Sequence, residues 1–124
     1  MEHEIYREFI LELNRNPLNK GVLSAYDATY RDYSTSCGDE IVVYIKFDKQ
    51  GKASGIMHDG HGCAISQAAV SLLTDTIKGR SKEDMLAITP DDMIHMLGIP
   101  VTQNRMACAM LGLATLQKAL LCWK

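Results

Sequence analysis

Hydrophobic positions change period part-way along the chain, and that change separates two kinds of element. From Glu2 to Leu13 the apolar residues Ile5, Phe9, Ile10 and Leu13 recur at helical spacing, which predicts an amphipathic first helix. The turn formers of Asn16-Pro17-Leu18-Asn19-Lys20-Gly21 end it, because Pro17 disfavours helical geometry at Asn16. Ala25–Tyr33, with Tyr26, Thr29 and Tyr30, and Glu40–Asp48, rich in β-branched and aromatic residues, predict two strands. Lys49-Gln50-Gly51-Lys52 supplies a turn that returns Ala53–Asp59 as a third strand antiparallel to the second, completing a small meander.

Beyond Gly62 the period becomes helical. Ile65, Ala68, Ala69, Leu72, Leu73 and Ile77 share one face up to a stop at Gly79. Ser81 ahead of Glu83 and Asp84 predicts a short capped helix to about Ala87. Thr89-Pro90-Asp91-Asp92 repeats the start signal and leads into Met93, Ile94, Met96 and Leu97 before Gly98-Ile99-Pro100. Arg105–Leu121 predicts a long, strongly apolar terminal helix. The fold class is therefore α+β: an N-terminal helix, a small three-stranded antiparallel sheet, then a C-terminal set of helices packed on it. Without repeats, linkers or charge blocks, residues 1–124 are expected to form a single domain.

Composition narrows the function classes. With 47% hydrophobic and 23% charged residues and a formal net charge of -2, the chain has no basic footprint for nucleic acid. No apolar run is expected to reach the roughly 20 residues that span a bilayer, and the start Met1-Glu2-His3-Glu4 is acidic where a secretory signal is basic. The expectation is a cytoplasmic protein with no membrane partner. Four cysteines are too few for a disulfide scaffold, and in a reducing compartment thiols more often serve metal binding or catalysis.

Their positions carry the chemistry. In Cys37-Gly38-Asp39 the glycine permits a tight turn that brings a thiolate and a carboxylate toward one point. Gly62-Cys63 sits where strand gives way to helix, so the Cys63 sulfur meets unpaired amides and the positive end of a helix dipole, both favouring thiolate. Cys108 falls in the first turns of the terminal helix. If the two helix starts face the Cys37 loop, three sulfurs and one carboxylate meet. No paired Cys-x-x-Cys knuckle of a closed zinc site is present. Taken singly, each cysteine reads as a small core residue and Asp39 as a turn cap. His61 reads as a surface or hydrogen-bonded histidine, Cys122 as a packing or incidental thiol, and Met85, Met93, Met96, Met106 and Met110 as core filler or an adaptable docking surface.

In order along the chain, Asn16-Pro17-Leu18-Asn19-Lys20-Gly21, Cys37-Gly38-Asp39, Gly62-Cys63-Ala64-Ile65-Ser66 with Ser71, and Arg105-Met106-Ala107-Cys108 resemble the landmarks of the IscU, SufU and NifU N-terminal iron-sulfur cluster assembly scaffold family. The resemblance implies a scaffold or carrier, not an enzyme, that accepts sulfur from a cysteine desulfurase. It implies assembly of a [2Fe-2S] cluster, which passes to iron-sulfur acceptor proteins with help from chaperone proteins. It makes Cys37, Asp39, Cys63 and Cys108 the ligands of cluster, iron or metal, with Zn2+ as the alternative occupant. Cys108 becomes the persulfide acceptor, Asp39 the labile hard-oxygen ligand, and Arg105 matches a basic family position. Ala107 stands where IscU members place a histidine. SufU members lack that histidine and use a zinc site for sulfur transfer, yet usually carry an extra segment between the second and third cysteines, for which the step from Cys63 to Cys108 leaves little room. The alternative function is thus a SufU-like zinc-dependent sulfur acceptor. A closed structural zinc module needs an unreactive site, and a cysteine hydrolase needs a positioned Cys-His pair that nothing here suggests beyond His61.

Overall fold

The structure, a computed structural model, describes residues 2–34 and 38–123. Its elements run α1 (Glu2–Arg15), β1 (Ala28–Ser34), β2 (Asp39–Phe47), β3 (Ala53–His61), α2 (Ala64–Thr76), α3 (Lys82–Leu86), α4 (Pro90–Leu97) and α5 (Gln103–Cys122). The strands form an antiparallel meander in the order β1-β2-β3. This is the α+β arrangement expected from the change of period.

Alternation along β2 decides which side faces the core. Asp39, Ile41, Val43, Ile45 and Phe47 are buried on one face, against which α5 and α2 pack. Leu73, Ile77, Leu116 and Leu120 complete the layer between sheet and helices. Burying such side chains contributes about 1.5–3 kcal/mol each, which makes this layer the main source of stability. α5 lies along β1 and beside α2, and Gly112 permits the close approach, since a Cβ there would sit 3.0 Å from the Val70 side chain.

The caps follow the sequence signals. Ser81 accepts from the Asp84 N–H, and Thr89 and Asp92 form a reciprocal capping box. Gly98 closes α4 in the left-handed region at φ 72°.

Among the boundaries that differ from expectation, three are informative. β1 begins at Ala28, not Ala25, because the Tyr26 ring packs on Tyr44 and the Asp27 carboxylate accepts the Phe47 N–H at 2.7 Å, holding this stretch in an irregular corner. β3 continues past Asp59 to His61, carried by pairing of His61 with Glu40. α5 begins at Gln103 and is, by length and composition, long and apolar enough to cross a membrane, which corrects the expectation that no run reaches that length. About half of its apolar stretch is buried inside the protein, where sheet and α2 cover it.

Candidate metal centre

Three elements meet at one end of the sheet. β2 opens with Asp39 on its core face, Gly62-Cys63 links β3 to the start of α2, and the second turn of α5 presents Cys108. One carboxylate oxygen of Asp39, the Cys63 sulfur and the Cys108 sulfur all lie within 4.8 Å of one another. Three atoms that close share a centre no farther than about 2.8 Å from any of them, half an ångström beyond a Zn–S bond of about 2.3 Å.

Asp39 is held in a particular pose. Its side chain is only 3% exposed, and Oδ1 accepts the Cys63 backbone N–H at 3.1 Å. Oδ2 is buried with no hydrogen-bond partner among the described residues. An unpaired buried carboxylate oxygen is costly, and a cation is the partner that would remove that cost. The donor set of one carboxylate and two cysteine sulfurs fits zinc or iron-sulfur chemistry and not a hard Mg2+ or Ca2+ cage.

Gly62 makes the pose sterically feasible. A Cβ on it would stand 2.3 Å from the Ser66 hydroxyl and 2.8 Å from the Asp39 carboxyl carbon. Ser66, fully buried one turn into α2, donates to the Cys63 carbonyl at 3.1 Å and so fixes the first turn. Cys63 is the N-cap residue of α2, and its side chain makes no capping hydrogen bond, so the thiol stays available at the positive end of the helix. Gly38, at φ 71°, supplies the turn into β2 that the Cys-Gly-Asp motif required.

Access comes from one side. Cys63 is half-buried, Gly62 and Ala107 are exposed, and Cys108 is 1% exposed. Beside the first turn of α2 lies an apolar cleft of about 260 Å³ lined by Ile10, Leu11, Ala64, Ile65 and Ile99, and Arg7 joins it to a wider depression reaching Arg105. A separate cavity of about 420 Å³, bordered by Arg80, Asp84, Met85 and His95, lies at the far end of α2 and shares no residue with the thiols.

Of the expected site residues, Asp39, Cys63 and Cys108 are brought together, and Cys37 lies outside the described residues. His61 points away. It pairs with Glu40 on the outer face of the sheet, opposite to Asp39, and its ring lies 3.6 Å from the Glu40 carboxylate. The Arg31 guanidinium holds that carboxyl below its ordinary range. Arg105 is exposed at the head of α5, and Cys122 is exposed at its tail. Met85 and Met93 are fully buried core residues. Sequence reasoning missed the buried His58 on β3. The inward alternation of Ile56 and His58 is the signal that could have found it.

Residues 5–124 match the family model described as the NifU-like N terminal domain. This chain belongs to the NifU-like N-terminal domain family. Among its relatives is the zinc-dependent sulfurtransferase SufU of Bacillus subtilis strain 168, 32% identical over 92% of this chain and 88% of SufU. That alignment runs over 132 residues, more than this chain contains, so SufU carries residues with no counterpart here. The nitrogen fixation protein NifU of Azotobacter chroococcum mcd 1 is 32% identical over 92% of this chain, which spans 37% of that protein. A crystal structure of a protein named as an iron-sulfur cluster assembly scaffold for the SUF system of Fervidobacterium islandicum AW-1 has a TM-score of 0.77 and 27% identity, covering 97% of this chain and 99% of that one. The NifU-like fold thus accounts for the meander, the flanking helices and their order.

Proposed function

We propose that this protein is an iron-sulfur cluster assembly scaffold that accepts sulfur from a cysteine desulfurase, assembles a [2Fe-2S] cluster and hands it to acceptor proteins, acting as a carrier in the cytoplasm. One observation carries the reading: Asp39, Cys63 and Cys108 gather their ligand atoms within 4.8 Å, with one carboxylate oxygen buried and, among the described residues, unpaired. Cys37 is proposed as the fourth ligand. The cluster is cargo here, and a mixed oxygen and sulfur ligand set holds it less firmly than four thiolates would, which suits release.

Sulfur enters by exchange. The Cys108 thiolate attacks the outer sulfur of the desulfurase persulfide, the donor S–S bond breaks, and the donor thiolate leaves as a persulfide forms on Cys108. Anaerobic incubation with iron, cysteine and a desulfurase tests the proposal, with visible cluster absorption as the expected result. Protein that stays colourless overturns it.

A second reading is favoured by a specific observation: Ala107, exposed beside Cys108, offers no imidazole, and a relative is a zinc-dependent sulfurtransferase. In that case the same residues hold a resident Zn2+, which keeps thiols deprotonated for sulfur exchange, and the protein is a sulfur acceptor. One tightly held zinc per chain as purified supports it, and metal-free protein with full sulfur-acceptor activity excludes it.

A further inference from the structure

The connection between α1 and β1 runs along the outer edge of β3, and His58 holds it there. The His58 N–H donates to the Asn19 carbonyl at 2.9 Å, the Gly21 N–H donates to the His58 carbonyl at 2.8 Å, and the His58 ring Nε2 lies 2.8 Å from the Leu18 carbonyl oxygen. Asn19 and Lys20 reach across to α2, Asn19 donating to Thr74 at 3.1 Å and Lys20 to Gln67 at 3.1 Å. We propose that residues 18–21 form an acid-releasable strap, clipped to β3 by the neutral buried imidazole of His58 and let go when that ring takes up a proton.

The geometry sets the direction. A carbonyl oxygen only accepts, so Nε2 carries the hydrogen and Nδ1 is left as a bare acceptor. Nδ1 is buried with no hydrogen-bond partner among the described residues, and the side chain is 0% exposed. A second proton must go onto Nδ1, creating a buried cation whose new N–H has no acceptor. Among the described residues, the charged groups that act on the ring are Lys20 from the strap and, through space, Asp59 from its own strand. α2 contributes the Ser71 hydroxyl at 3.5 Å and β2 contributes Val43, neither of which titrates near neutrality.

Burial is the largest influence and pushes the imidazole down from 6.5 to about 4, with Lys20 acting the same way and the Leu18 carbonyl and Asp59 opposing. With the strap open the ring is in water and returns to its ordinary value. The closed form is therefore fully favoured above pH 6.5 and loses ground as pH falls toward 4. Over that window the open population rises about ten-fold per pH unit. Release also frees the Gly60 carbonyl from Lys20, a 2.9 Å bond.

Amide hydrogen exchange on the full chain, followed residue by residue between pH 7 and pH 4.5 and corrected for intrinsic exchange, tests this. The opening constants of the Gly21 and His58 amides are expected to rise about ten-fold per unit below pH 6, while the core amide of Leu116 does not follow. In His58→Phe the Gly21 amide and that of residue 58 are expected to show no such rise. A flat profile in the native chain, or the same rise in His58→Phe, overturns the strap. Should His58→Phe not fold, the native ring decides: it is expected to stay neutral, protonated on Nε2, down to about 4 while the strap amides are protected. A ring that protonates near 6.5 under closed strap amides overturns the proposal equally.

Discussion

The backbone N–H of Cys63 donates to Oδ1 of Asp39 at 3.1 Å, joining two residues 24 apart in sequence. One bond does two things. It satisfies an amide at the head of α2, and it leaves the other carboxylate oxygen buried with no hydrogen-bond partner among the described residues. Asp39 is therefore posed so that one of its oxygens could serve a metal held with Cys63 and Cys108.

Asp39→Asn separates these roles. Asparagine keeps an oxygen for the Cys63 N–H but puts an amide nitrogen, which cannot ligate, where Oδ2 stands. The fold is expected to persist while zinc affinity drops by at least about ten-fold, since even outer-shell changes commonly cost that much. Competition against a chromophoric chelator measures it, with circular dichroism as the control for folding. Unchanged affinity would remove Asp39 from the ligand set.

Gly62→Ala attacks the same pose from the backbone. The new methyl would lie 2.3 Å from the Ser66 hydroxyl and 2.9 Å from Asp39 Oδ1, so the carboxylate or the first turn of α2 must shift. A loss of about 1–3 kcal/mol in urea denaturation is expected, together with weaker zinc binding. Adding Ser66→Ala removes the shorter of the two clashes and is expected to recover part of the stability. A double variant no better than Gly62→Ala would locate the strain at Asp39 alone.

Much of this arrangement is legible in the chain itself, for local reasons. The odd-numbered run Asp39, Ile41, Val43, Ile45, Phe47 alternates cleanly, and period two puts Asp39 on the apolar face and Glu40 with His61 on the other. Ser81, Thr89 and Gly98 act as caps because capping involves only near neighbours. What stayed hidden depends on contacts far apart in sequence. Nothing local says that residues 18–21 cover the edge of β3, that a histidine lies beneath them, or that the Gly62 methylene faces a carboxylate from β2. The apolar character of Gln103–Cys122 is ambiguous for the same reason, because only packing against the sheet shows which solvent the helix meets.

The sulfur-accepting residue is open to direct mapping. After brief incubation with a desulfurase and cysteine, peptide mass spectrometry is expected to find one added sulfur on Cys108, lost on treatment with a reductant. Cys63 is the more accessible sulfur, half-buried where Cys108 is 1% exposed, so a label confined to Cys63 would reassign the role and leave Cys108 as a ligand only. Exposed Cys122 provides the internal control. Sulfur appearing there at an equal rate would show that transfer is unselective.

The seam between α5 and β1 gives a pH signature away from the candidate metal centre. The Lys118 ammonium lies 2.6 Å from Asp32 Oδ2 and 5.6 Å from the centre of the Tyr30 ring. Burial acts to raise the Asp32 carboxyl, but the hydrogen bonds from Lys118 and from the Tyr33 N–H outweigh it, and the net shift is downward from 3.8. A carboxyl held below its unfolded value stabilises the fold above that value and loses its contribution as pH falls through the folded one. Asp32→Asn is therefore expected to lower the urea midpoint at pH 7 by a modest amount, in keeping with a half-exposed pair, and to differ from the native chain far less near pH 3. A difference of equal size at both pH values would mean that Asp32 acts through packing and its backbone bond to Tyr33, not through its charge.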